Sequence, residues 1–193
     1  ETKFPGSVED CYAAANWIRA NAQTFNGIPD RISIGGSSAG GNLAAAVCLM
    51  ARDRGIPQFL FQLLIYPVVS SDTKTKSYQL YSSGYGLEKP SMDWFIEHYL
   101  NDEQDLLNPY AMPLNATTLD GLCAAMIITA ECDPLRDEGE AYANRLREAN
   151  IPVDYICYPG MIHGFFSMTN TLNQSRDAVN AATEKLISLA KET

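Results

Sequence analysis

A chain of 193 residues, 46% hydrophobic and 19% charged, can bury a substantial core and is expected to form a single domain over residues 1–193. A formal net charge of −9 argues against nucleic acid or an anionic membrane surface as partner, because no basic cluster is there to neutralise phosphates. Five cysteines without C-x-x-C spacing argue against a disulfide framework or a zinc site, and read as reduced thiols of a cytoplasmic protein. No apolar run reaches membrane-spanning length, and the charged first residues do not resemble a signal peptide.

Along the chain, Val8, Cys11, Tyr12, Ala15 and Ile18 recur at helical spacing. They predict an amphipathic helix from Ser7, its N-cap, to about Asn21. The run Asn26-Gly27-Ile28-Pro29-Asp30 is turn chemistry, and Arg31 to Gly35 follows as a short strand. From Ala39 to about Arg52 a helix carries apolar residues around nearly its whole circumference, which places it at the centre of the fold. Phe59 to Tyr66 is a near-continuous apolar run, as suits a strand covered on both faces of a parallel sheet. Ser70 to about Asn115 loses this order, apart from a helical piece over about Met92–Leu100, and reads as a lid-like insertion. His98, inside that piece, reads as a surface or packing histidine. Ala124 to Ala130 is a third buried strand, with Asp133 just beyond its end, where α/β proteins place site residues. Asp137 with Glu140 has the spacing of a helix-capping arrangement for a helix to about Ala149. Val153 to Tyr158 is a fourth strand, followed by a loop over 159–166 that carries His163, and then by a helix from about Gln174 to Lys191.

The chemistry concentrates at Gly36-Ser37-Ser38-Ala39-Gly40, which fits G-x-S-x-G between a strand and a helix. In that motif the central serine sits on a sharp turn and the glycines let strand and helix approach. A phosphate-binding P-loop would end in Gly-Lys-Ser/Thr, whereas Gly40 precedes Gly41 and Asn42. A dinucleotide fingerprint fails as well, since neither Gly35 nor Gly36 has a glycine two positions later. Ser38, Asp133 and His163 each follow a different strand, in the serine–aspartate–histidine order of α/β-hydrolases. Such a set performs nucleophilic catalysis: the serine attacks a carbonyl, the histidine carries its proton, and the aspartate orients the imidazole.

Three segments carry a family resemblance. Gly-Ser-Ser-Ala-Gly-Gly-Asn-Leu-Ala at 36–44, Asp-Pro-Leu-Arg-Asp-Glu-Gly at 133–139 and His-Gly-Phe at 163–165 resemble the hormone-sensitive-lipase-like esterases over almost the whole chain. The resemblance implies a three-layer α/β-hydrolase fold with a mostly parallel sheet. It carries the catalytic roles to Ser38, Asp133 and His163, and an oxyanion-hole amide to Ala39. It further implies hydrolysis of short-chain carboxylic esters with neither cofactor nor metal. The chain departs from the family pattern in having Ser37 where many members have Asp or Thr, and in having no His-Gly-Gly-Gly segment upstream of the motif. The expectation is therefore a sheet lacking its N-terminal strands, whose open edge a homo-oligomer would cover. Two other readings stay open, a non-catalytic receptor for small molecules on the same fold and an inactive fragment without its oxyanion loop. Leu135, Phe165, Phe166 and Tyr85 are candidates to line an acyl pocket, or else simple packing.

Overall fold

The structure, a computed structural model, describes residues 2–191. Its layers follow from alternation along the strands. On β3 (Ala124–Cys132), Ala125 and Ile127 join one buried cluster, while Met126, Ile128 and Ala130 join another. A strand that is apolar on both sides needs cover on both sides. Helices α1 (Gly6–Asn21), α2 (Ala39–Asp53) and α5 (Arg136–Glu148) cover the first face, and α6 (Asn173–Lys191) covers the second through Ala178 and Ala182. Between them, β1 (Ser33–Ser37), β2 (Phe61–Ile65), β3 and β4 (Val153–Ile162) lie side by side in sequence order, every pair parallel. Among the described residues β1 pairs on one side only.

Parallel neighbours need crossover connections, and α2 and α5 supply two of them. α2 is the central helix expected from its composition, with every residue from Ala44 to Ala51 buried. The third crossover, between β2 and β3, holds α3 (Lys76–Tyr81) and α4 (Lys89–Tyr99).

Several boundaries differ from the sequence pattern. β1 begins at Ser33 and runs through Gly35 into the glycine motif as far as Ser37. α1 begins at Gly6, so Ser7 lies inside the helix and does not cap it, and Ile18 is 41% exposed, while Cys11, Tyr12 and Ala15 pack on the core. β4 continues through Pro159 to Ile162, where a loop was expected. A register irregularity lets it resume pairing at Cys132–Ile162, and Glu131 Oε2 accepts from the Gly160 N–H at 2.7 Å across it. Six-residue α3 had no periodicity long enough to read; the Thr75 side chain caps it.

Among the glycines, the closest approach of neighbouring backbone is at the turn from β1 into α2. A Cβ on Gly36 would lie 2.4 Å from the carbonyl carbon and oxygen of Gly40, and one on Gly41 would lie 2.9 Å from Pro67 Cβ. A Cβ on Gly40 itself would meet no atom within 4 Å. Backbone atoms cannot yield as a side-chain tip can, so the two motif glycines are unequal. Gly36→Ala is expected to cost several kcal/mol or prevent folding, whereas Gly40→Ala changes stability by less than about 1 kcal/mol. Thermal melts of both variants check this, and equal losses would contradict it.

Candidate active site

Ser38 is the single residue between β1 and α2, with φ 56° and ψ −119°. Non-glycine residues avoid positive φ, so surrounding bonds must hold it. Its N–H donates to Ile65 O at 2.9 Å, and its carbonyl accepts from Asn42 N at 3.0 Å and Val68 N at 3.4 Å. The turn is thus tied to the end of β2 on one side and to α2 on the other. Held in this way, Ser38 Oγ lies 2.9 Å from His163 Nε2.

His163 follows β4 directly, with Gly164 after it at φ +86°. Its Nδ1 lies 2.7 Å from Asp133 Oδ2. Asp133 is wholly buried, and its Oδ1 accepts the Leu135 N–H at 2.9 Å. A buried carboxylate needs such partners. Because a carboxylate only accepts, Nδ1 carries the proton and Nε2 is left to accept from the serine hydroxyl. The three residues singled out in the sequence therefore form one hydrogen-bonded line. His98 stands apart, its ring stacked on Trp94 at 4.0 Å and its Nδ1 on Trp94 O at 2.8 Å, as a packing histidine does.

Ala39 is the first residue of α2, so its N–H has no acceptor within the helix, and among the described residues it has none elsewhere. It lines, with Ser38, a cavity of about 490 Å³. Leu43, Val68, Leu87, Met92, Phe95 and Met112 make most of the wall apolar. Asn42, buried in the same wall, spends its amide on Val68 O and Ala111 O, both at 2.8 Å. The bond to Ala111 ties the segment expected as a lid to α2, and that segment contributes one side of the cavity.

The expected pocket residues are not among its lining. Leu135 is wholly buried with Tyr78 and Met92, one layer behind the wall. Phe165 is wholly buried against Tyr66 and Tyr158. Phe166 is half-buried on the α6 side, and Tyr85 is exposed, edge-on to Tyr81. The legible signal was on α4, where Met92, Phe95, Ile96 and Tyr99 recur at i, i+3, i+4 and i+7 and all face the cavity.

Two acidic residues stand behind the site, and one of them, Asp137, corrects a sequence expectation. α5 begins at Arg136 with Leu135 at the N-cap position, so Asp137 falls inside the first turn and does not cap. It accepts from Ser77 N at 2.8 Å and pairs with Arg136 at 2.8 Å, fastening α3 to α5. Glu138 is buried, and its Oε1 accepts from the amides of Val69 at 2.7 Å and Ser70 at 3.2 Å. Burial pushes its pKa up to about 8, against the pull of those two amides, and the charges of Asp133 and Asp72 add to the rise. It is therefore a neutral carboxylic acid at pH 7. Among the described residues, no group of three or more His, Cys, Asp or Glu side chains is placed to hold a metal ion.

A family model described as the alpha/beta hydrolase fold matches residues 1–167. The chain belongs to the alpha/beta hydrolase fold family. Within that family its resemblance to the hormone-sensitive-lipase-like esterases holds. It is 42% identical to the arylesterase of Saccharolobus solfataricus over 90% of this chain and 57% of that protein. It is also 42% identical to the carboxylic ester hydrolase LipN of Mycobacterium tuberculosis, over 87% of this chain and 46% of the relative. An ester hydrolase from the metagenome of Lake Arreo, solved in complex with a bipyridine phosphonate derivative, superposes with a TM-score of 0.91 at 45% identity, covering 95% of this chain and 58% of that one. The chain spans about half the length of the curated relatives it matches. Among the described residues of this hydrolase-fold chain, no helix is long and apolar enough to cross a membrane.

Glu138 makes this fold sensitive to pH in a defined direction. Its carboxyl releases a proton near pH 4.5 in an unfolded chain but only near pH 8 when folded. Its contribution to stability is therefore full below pH 4.5 and is lost as pH rises to about 8. Glu138→Gln keeps an acceptor for the two amides and has no proton to lose. Its stability relative to wild type is expected to rise across this window by on the order of 2–4 kcal/mol. Urea unfolding at pH 5, 6.5 and 8 measures the difference, and a constant offset would contradict the assignment.

Proposed function

We propose that this chain hydrolyses short-chain carboxylic esters through an acyl-enzyme, with Ser38 as nucleophile, His163 as general base and acid, and Asp133 as the residue that orients and steadies the imidazole. The observation that carries the proposal is the unbroken line from Ser38 Oγ through His163 to buried Asp133, at 2.9 and 2.7 Å, opening on an apolar cavity of about 490 Å³. The carbonyl carbon of the ester is attacked by Ser38 Oγ while His163 Nε2 takes the hydroxyl proton. Negative charge developing on the carbonyl oxygen is met by the Ala39 N–H at the start of α2, where the helix dipole also favours it. As the intermediate collapses, the alcohol leaves with the proton from Nε2. A water molecule, deprotonated by the same nitrogen, then releases the acid and restores the serine.

The cavity supports a small, largely apolar ester as substrate, with the segment over about 70–115 forming the wall against it. A phosphonate bound to the Lake Arreo relative fits the same reading, since a tetrahedral phosphorus resembles the intermediate formed on serine. The bonded His163 favours catalysis over a receptor role, because a receptor has no use for a proton carrier on the serine. The five free cysteines fit a cytoplasmic protein.

Hydrolysis of p-nitrophenyl acetate and butyrate tests the proposal. Ser38→Ala and His163→Ala are expected to lower kcat by about 10⁴-fold or more, and Asp133→Asn by about 10⁴-fold. Hydrolysis that survives Ser38→Ala would remove Ser38 from the mechanism.

A further inference from the structure

Two hydrogen bonds hold the His163 ring at Nδ1 and Nε2, yet both lie near one line through the imidazole. They leave it free to tilt about that line. Tyr66 packs against the imidazole, its ring centroid 4.4 Å from that of His163 with the two planes tilted by 51°. The tyrosine is only 4% exposed. Behind it stands Phe165, edge-on at 6.1 Å, and Phe165 is in turn 5.2 Å from Tyr158. His163 is thus backed by an aromatic cluster whose members come from the end of β2, from β4 and from the turn after it.

The backbone at this point is unusual. Tyr66 has φ +34°, a region that bulky residues avoid, and it precedes Pro67, which ordinarily drives the residue before it into extended conformations at negative φ. Strain of this kind persists only where neighbours over-determine it. Here Tyr66 N donates to Ile128 O at 2.6 Å, Val68 N donates to Ser38 O, and the Val69 and Ser70 amides are held by Glu138. The sharp turn that results at the end of β2 delivers the Tyr66 ring to the imidazole.

We infer that Tyr66 is a positioning residue for the reaction, whose ring clamps the His163 imidazole in the plane that joins Ser38 to Asp133 and favours the imidazolium formed as the ester is attacked. This rests on the esterase reading of the site. A cation against an aromatic face within about 6 Å of its centroid is attracted to the ring, so the contact strengthens as His163 gains its proton and acts on kcat more than on KM. The ring carries the effect. The hydroxyl, whose pKa is raised by burial and by the nearby Asp133, stays neutral throughout.

The test compares Tyr66→Leu, which keeps bulk without an aromatic face, with Tyr66→Phe, which keeps the ring. Two readouts are taken, kcat and KM on p-nitrophenyl butyrate, and the downfield proton resonance of His163 Nδ1–H, which needs no turnover and is assigned by its loss in His163→Ala. Tyr66→Leu is expected to lower kcat by about 10-fold with KM within about 2-fold, and to broaden or erase the resonance. Tyr66→Phe should retain at least about a third of kcat and the resonance with it. Should melting show Tyr66→Leu unfolded at assay temperature, Tyr66→Met takes its place with the same expectation. An unchanged resonance and kcat in Leu or Met overturns the clamp while leaving the esterase intact. A resonance lost in Leu but kept in Phe, in a protein that hydrolyses no ester, overturns the esterase and leaves the clamp standing. Equal loss in Phe and Leu removes the ring from the account.

Discussion

One residue separates β1 from α2, and its backbone has to reverse the chain within that single step. Ser38 does so at positive φ, and the turn closes because Gly36 has no side chain where Gly40 passes. Much of the site follows from this constraint. The serine is lifted to the end of the sheet, Ala39 at the start of α2 lines the cavity beside it, and the carbonyl of Ser38 is left to accept from Val68, the first wall residue beyond β2. Since all four strands are parallel, the loops after β2, β3 and β4 arrive at that same end. Tyr66, Asp133 and His163 meet Ser38 there without any long excursion of the chain.

A second constraint is electrostatic. Asp133 and Glu138 are both buried, close enough for the charge of one to oppose ionisation of the other. Two such charges without a cation between them would be expensive to keep. Their surroundings separate them. Asp133 receives an amide and the imidazole, so its charge is used in orienting His163. Glu138 keeps its proton and holds the two amides that follow Val68. One carboxyl group thus holds the imidazole, while the other fixes the backbone from which Tyr66 and Val68 project.

The sequence revealed those parts of this arrangement that local pattern encodes. Apolar runs at 59–66 and 124–130 announced strands covered on both faces, and the all-round apolar stretch after Ala39 announced the central helix. Ser38, Asp133 and His163 were legible because each follows a strand and is flanked by turn-forming glycine or proline. Other features depend on contacts between distant segments. Glu138 looks like an ordinary first-turn acid until the loop after β2 buries it, and Asp137 has cap spacing even though the helix starts two residues earlier than a cap there would require. Tyr66 sits at the end of an apolar run and gives no sign of its left-handed backbone. Leu135 and Phe165, read as pocket candidates or simple packing, lie in packed clusters, whereas much of the cavity wall comes from α4, whose stripe of Met92, Phe95, Ile96 and Tyr99 could equally have faced a core.

In the proposed reaction, hydrogen bonding through His163 makes Ser38 a nucleophile. Covalent capture with a fluorophosphonate, followed by mass mapping of the tryptic peptides, addresses it most directly, because capture requires attack by serine but not repeated turnover. A single adduct is expected on Ser38, and its rate of formation should fall at least about 100-fold in His163→Ala. An adduct elsewhere, no adduct at all, or capture at Ser38 at an undiminished rate without His163 would contradict it.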